Sequence, residues 1–155
     1  MSPIIVSSAI VQRTLTPLQA AGALQKECVV LWLGRREGNS IRIMEAIVPV
    51  HKAASDQFVI PRTSILSLVE TVGSRGMQIV AQVHSHPREA FHSQVDDDWA
   101  IVRHVGALSL VLPWFARKTT PETFFKHAVV FSLSPQNTWD HLSPSEASLA
   151  IRVET

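Results

Sequence analysis

The run Met77-Gln78-Ile79-Val80-Ala81-Gln82-Val83 leads into His84-Ser85-His86-Pro87, and a short loop separates these from Ser93-Gln94-Val95-Asp96. The apolar run reads as a buried strand. Alternate side chains of a strand share a face, so both imidazoles point the same way at the strand's end. Pro87 lacks an N–H and stops the ladder there. Ser93 opens a stretch with helical character over Gln94 to Val105, where Asp96 lies one turn on and faces the same space as Ser93. Two imidazoles and one carboxylate converging from a strand end and a helix start form a zinc arrangement with one position left open, the coordination of catalytic zinc. His84, His86 and Asp96 are therefore candidate ligands. Each part alone is ordinary, because strand histidines are common surface polarity and Asp96, Asp97 and Asp98 suit a helix N-terminus. Their combination within one span points to a metal.

Outward from this segment, the chain alternates strands and helices. Ile4 to Val11 is β-branched and apolar, a first strand. Thr16-Pro17 is a helix start, a hydroxyl cap followed by proline at the first helical position. The helix continues through Leu18 to Lys26, weakened slightly by Gly22. Glu27 to Leu33 reads as a central strand, Gly38-Asn39 as a hairpin turn, and Ile41 to Val50 as the returning strand. Glu45, in its middle, competes with Glu27 for a catalytic role on the residues alone, and only the family resemblance given below makes it structural or surface. Phe58 to Pro61 is a short strand. Thr63 or Ser64 caps a helix to about Ser74, with Ile65, Leu66, Leu68, Val69 and Val72 as its core face. His92 reads as a solvated loop residue. Ala107 to Leu112 is a strand. Trp114-Phe115 is a packing pair before a substrate-stacking one. Arg117 to Glu122 is a polar loop suited to variable contacts. His127 to Leu133 is a further strand, Trp139 to Leu142 a turn or short helix, and Ser143 to Val153 a last strand or helix.

The 155 residues, 46% apolar and 17% charged, are expected to form one domain spanning 1–155 with a proper core. A net charge of +1 gives no reason to expect nucleic acid or an acidic membrane as partner. The single cysteine excludes an internal disulfide, and Cys28 reads as a small core residue. With no signal peptide and no apolar run near the roughly 20 residues of a membrane span, a cytoplasmic location is expected.

The His84-Ser85-His86-Pro87 and Ser93-Gln94-Val95-Asp96 pair resembles the JAMM (MPN+) metalloprotease motif, which joins a distant Glu to HxHP and SxxD. The resemblance extends along nearly the whole chain in its element order. It implies an α/β fold, the MPN (JAB1/MPN, cytidine-deaminase-like) three-layer sandwich of a mixed curved β-sheet with flanking helices. It places the distant Glu at Glu27, ahead of Cys28-Val29-Val30-Leu31-Trp32-Leu33-Gly34, although Val30 stands where the family often has glycine. Ser93 follows His84 by nine positions where ten is common, which leaves Asp97 open as a ligand. The intact SxxD spacing favours Asp96. The implied roles are Zn²⁺ on His84, His86 and Asp96, Glu27 as general base and then acid, and Ser93 Oγ as oxyanion donor.

Members of this family typically cut the isopeptide bond between a ubiquitin-like C-terminus and a lysine. An extended Gly-Gly tail adding as a strand beside the sheet is the natural binding mode. The short chain resembles compact bacterial members encoded beside E1- and E2-like conjugating proteins in antiphage operons of the CBASS or Bil kind. The implied partners are a ubiquitin-like protein or its conjugates, together with such E1/E2-like proteins. Processing of a sulfur-carrier protein, or a non-catalytic MPN scaffold, are the alternatives.

Overall fold

Val29 to Leu33 are all buried, so the strand they begin must be covered on both faces and flanked on both edges. In the computed structural model, which describes residues 2–49, 52–53, 58–90 and 101–155, this strand is β2 (Val29–Glu37). It pairs antiparallel with β3 (Ser40–Ile47) on one side and β6 (Gln78–Ser85) on the other. The β2–β3 hairpin closes through Gly38-Asn39, with Gly38 at a φ of +63°.

The other strands are β1 (Ile4–Ser7), β7 (Leu108–Leu112), β8 (Val129–Leu133), β9 (Trp139–His141) and β10 (Ile151–Glu154), and the eight-stranded order is β10-β1-β3-β2-β6-β7-β8-β9. The sheet is mixed: β1 runs parallel to β10 and β3, and β6 parallel to β7. A separate ribbon pairs β4 (Lys52–Ala53) with β5 (Phe58–Val59). Helix α1 (Ser8–Ala23) covers one face through Ile10, Val11, Leu15 and Leu18, which pack on Cys28, Val30, Trp32 and Val83. Helix α2 (Arg62–Ser74) covers the other, with Ile65, Leu68 and Val72 against Val29, Leu31 and Leu33. The α3 turn (Phe124–His127) and α4 (Pro144–Ala150) contribute Phe124 and Ala150 to the α1 side. This is the expected α/β sandwich of a mixed, curved sheet between helices.

Several local expectations are corrected. The first strand ends at Ser7, whose hydroxyl accepts from the Ile10 N–H and starts α1 nine residues ahead of Thr16. Pro17 therefore lies inside the helix. An interior proline costs about 3 kcal/mol, and the four apolar residues α1 buries offset it at about 1.5–3 kcal/mol each. The α2 N-cap is Pro61, with no side-chain cap, and Leu66 and Val69 are exposed rather than part of the core face. Residues 101–105 are not helical, so the helix expected over Gln94 to Val105 does not reach its end; its earlier part lies outside the described residues. Trp139 to His141 is an edge strand. The last segment holds both candidate elements. A Ser143–Glu146 capping box starts α4, and β10 follows it directly.

β2 carries two irregularities at one point. Trp32 pairs with Ala81 and Leu33 with Ile79, leaving Val80 as an extra residue on β6. Leu33 pairs with Glu45 and Gly34 with Ile43, leaving Met44 extra on β3. Such bulges bend and twist a sheet. Gly34 sits between them because a Cβ there would stand 2.8 Å from Val80 Cγ2 and 2.9 Å from the Arg42 carbonyl oxygen. Gly34→Ala is expected to destabilise the protein by about 1–3 kcal/mol through overpacking. Gly73→Ala, in α2 with nothing near its Cβ position, is expected to be neutral or stabilising by about 0.4–1 kcal/mol. Urea unfolding of the two variants provides the comparison.

Candidate metal centre

The Val80 bulge decides where the histidines point. Ile79 packs on the α2 side, while Val80 and Ala81 both join the α1-side core. From Gln82 onward the alternation is therefore inverted, and Gln82, His84 and His86 return to the α2 face. Without the extra residue they would point into the α1-side core. His84 is fully buried and His86 nearly so, with ring centroids 5.1 Å apart and planes at 43°.

Glu27 reaches the same face from the neighbouring chain. Val29 pairs with His84. One step on, the Ser85 N–H donates to the Cys28 carbonyl and the Cys28 N–H donates to Ser85 Oγ, both at 3.2 Å. Continuing that antiparallel register by one residue sets Glu27 opposite His86, and directly opposed residues share a face. Glu27 is 2% exposed, a rare burial for a carboxylate. It lies just before β2 rather than within it. Ser85 faces away from the imidazoles and fastens the two strand ends together.

Ser93, Asp96 and Asp97, together with His92, lie outside the described residues. Among the described residues no three His, Cys, Asp or Glu side chains form a metal-holding group, so the two histidines are the described part of the expected donor set. Two imidazoles on one buried strand face suit zinc and related divalent ions, and the donor chemistry fits the implied metal. Glu45, on β3, is spent elsewhere. It forms an ion pair with Arg75, whose guanidinium holds its carboxyl below the usual range. Cys28 packs into the α1-side core, and burial pushes its thiol up to about 11.

Two supports went unread in the sequence. Gln82 is buried, accepts the Ile101 N–H on Oε1 at 3.0 Å and donates from Nε2 to Ser109 Oγ at 3.3 Å. It thereby fixes the position of Ile101 beside the strand that carries the histidines. The period-two series Gln82, His84, His86 was the available signal. The second support is the turn Trp114–Ala116. Its Phe115 N–H donates to the His86 carbonyl at 2.7 Å, and its Trp114 N–H donates to the Arg88 carbonyl at 2.9 Å. All three residues have a φ of +54°, strained for residues with side chains. Gly22 is what admits the turn: a Cβ there would stand 2.5 Å from Phe115 Cβ. The packing expectation holds for Phe115, which is buried, and fails for Trp114, which is 55% exposed.

With this geometry in place, comparison with known proteins is informative. Residues 11–126 match the model of the Prok-JAB family, the prokaryotic homologues of the JAB domain. The chain belongs to that family. A protein of Sinorhizobium fredii (strain NBRC 101917 / NGR234) named "Probable metalloprotease y4jG" is 32% identical over 129 residues, 81% of this chain and 78% of its own length. Two solution structures share the fold. Protein DSY2949 from Desulfitobacterium hafniense has a TM-score of 0.67 at 18% identity, covering 97% of this chain and 92% of its own. A protein from Salinibacter ruber has a TM-score of 0.57 at 14% identity, covering 89% and 88%.

Replacing Gln82 by leucine keeps the volume and removes the acceptor of the Ile101 N–H. The expected cost is about 1–3 kcal/mol for the stranded donor, with faster hydrogen exchange at the Ile101 amide than at the β2 amides. Unchanged exchange at Ile101 would show that Gln82 does not anchor this segment.

Proposed function

We propose that this JAB-domain protein is a zinc-dependent isopeptidase. In this reading it hydrolyses the amide between a ubiquitin-like modifier, or a conjugated protein, and a lysine, or trims a modifier precursor. The coarser class, a metallopeptidase, is supported by the JAB domain and by the relative named as a metalloprotease. What supports the reading is the burial of His84, His86 and Glu27, together with a β2–β6 register that, continued past Val29–His84 and the Cys28–Ser85 contacts, leads to Glu27 and His86.

His84, His86 and Asp96 would hold zinc, which when bound supplies a Lewis acid and an activated water. The Glu27 carboxylate takes the proton of the attacking water and returns it to the nitrogen of the leaving amine. It can do both because it comes from β2's approach and is not itself a ligand. Ser93 Oγ donates to the oxygen that becomes negative as the carbonyl is attacked. Burial of the imidazoles and of Glu27 keeps competing bulk water from these groups.

An extended modifier tail meets one constraint. β6 is paired on both sides, by β2 and β7, so the tail crosses the end of the sheet rather than pairing with the strand that bears the histidines. A role in an antiphage conjugation system, beside E1- and E2-like partners, belongs to the same proposal and rests on the resemblance of the compact chain to such enzymes. No helix of the described residues is long and apolar enough to cross a membrane.

The decisive measurement combines elemental analysis with cleavage of ubiquitin-like fusions and isopeptide conjugates, with and without chelator. Glu27→Gln should keep the fold and the metal while losing about 10²–10⁴ in rate. His84→Ala should lose the metal. Full-rate cleavage by the Glu27→Gln protein would refute the base assignment. Cleavage confined to a sulfur-carrier protein extended by one amino acid would move the substrate class, and a metal-free wild-type protein would leave a scaffold.

A further inference from the structure

Beyond the strained turn lies a hollow of about 680 Å³ lined by Trp114, Arg117, Lys118, Thr119, Lys126 and His127. It opens at the same end of the sheet as the histidines, because β6 and β7 run parallel and the turn follows β7 directly. Arg117, Lys118 and Lys126 are exposed, and among the described residues no carboxylate lines the hollow. Glu122, the one acidic residue between positions 114 and 127, is outside the lining. Three cations thus gather here on a chain whose net charge is only +1.

Trp114 stands at the hollow's rim, 55% exposed. Its exposure is held in place by structure. Phe115 is anchored to the His86 carbonyl, and Gln19 Nε2 donates to the carbonyls of both Ala116 and Thr119, at 2.9 and 2.8 Å. Three successive left-handed residues cost roughly 1–2 kcal/mol each, and such strain concentrates at functional sites. His127 Nδ1 lies 2.8 Å from Thr119 Oγ1, which ties the far wall to the same loop.

We propose that this hollow is the docking site for an acidic segment of the protein substrate, one that lays an apolar side chain on Trp114 and its carboxylates among Arg117, Lys118 and Lys126. The proposal rests on the peptidase reading for the identity of the occupant, but binding itself requires no turnover. Cations beside an exposed aromatic ring suit a mixed acidic and apolar peptide, through ion pairing with the basic side chains and apolar contact with the ring. A nucleic acid is less well matched, because it calls for a broad positive surface tracking many phosphates. The hollow sits one turn of chain from His86. A segment bound there approaches the metal centre already tethered, raising the effective concentration of the bond to be cut.

The test uses the full-length Glu27→Gln protein and fluorescein-labelled peptides read by anisotropy: one with four Glu around a Phe, one with Gln in place of Glu, one with Lys. The acidic peptide should bind at least tenfold more tightly than the Gln peptide, and its affinity should fall as salt is raised. The double variant Arg117→Glu/Lys118→Glu and the single variant Trp114→Ala should each weaken it at least tenfold. Arg13→Glu/Arg152→Glu, on other surfaces, should not. Circular dichroism checks the fold, and Arg117→Gln/Lys118→Gln gives the same reading at smaller size if the reversed pair fails to fold. Equal binding of the three peptides, or undiminished binding by the reversed pair, overturns the proposal. So does a single-stranded oligonucleotide that binds this surface more tightly than the acidic peptide. If selective binding persists but wild-type protein cleaves nothing, the peptidase reading fails and the docking site stands. If cleavage proceeds without selective binding, the reverse holds.

Discussion

The short pairing of Cys28 with Ser85 governs the arrangement of this protein's chemistry. Three backbone groups and one hydroxyl lock the start of β2 to the end of β6, and the residues on either side of that lock are Glu27, Val29, His84 and His86. A strand end is ordinarily where pairing frays. Here the Ser85 hydroxyl supplies the acceptor that the Cys28 N–H lacks at the ladder's end, and the buried surroundings strengthen it. The register thus extends to Cys28, one residue ahead of β2, and the glutamate is the residue before it. The lock would be useless without the Val80 bulge, which sets the parity that brings both imidazoles to the glutamate's face. A bulge and a hydroxyl, neither of them a reacting group in the proposed function, set the arrangement of the groups proposed to react.

The turn at residues 114–116 shows the same division of labour from the other side. Its three positive φ angles cost several kcal/mol on a total stability of about 5–15 kcal/mol, so the offset must be local. It is: Phe115 and Ala116 are buried, Gln19 donates twice, and the missing Cβ of Gly22 lets helix and turn come into contact. The reward falls on His86, whose carbonyl is fixed by the Phe115 N–H and whose own N–H donates to the Leu112 carbonyl. A histidine with both backbone groups tied has little freedom left except at its side-chain torsions.

How much of this was legible in the sequence depended on range. The His84–His86 alternation, the Gly38-Asn39 turn and the apolar run at Leu108 are local patterns, and the strands they imply formed. Thr16-Pro17 was also a local pattern and misled, because Ser7 offers an equally good cap and burial of Ile10 and Val11 extends the helix back across the proline. The Ser143-Pro144-Ser145-Glu146 box was open to reading, but the short apolar tail after it fits a helix or a strand equally well. The bulge was invisible. A run such as Ile79-Val80-Ala81 is uniformly apolar, so an inserted residue leaves no break in its period. Gly22 read as a weak helix position because its reason lies 93 residues away at Phe115.

The α2 face of the sheet explains why the site belongs where it is. Toward the far end of β6 that face is Met77, Ile79, Leu33 and Val72, all apolar. Toward the near end it becomes Gln82, His84, His86 and Glu27, all polar and all buried. Burying polar groups costs stability unless each is hydrogen-bonded, and a fold selected for stability alone would continue the apolar series. Gln82 marks the transition, since its amide serves backbone and hydroxyl partners while its neighbours down the strand serve the core. The gradient puts the titratable groups beside an apolar layer on one side and the segment beginning at Ile101 on the other. In such a place a small displacement of one group is resisted by the packing of all the rest. In the proposed function, that resistance would serve as preorganisation of the groups that act together.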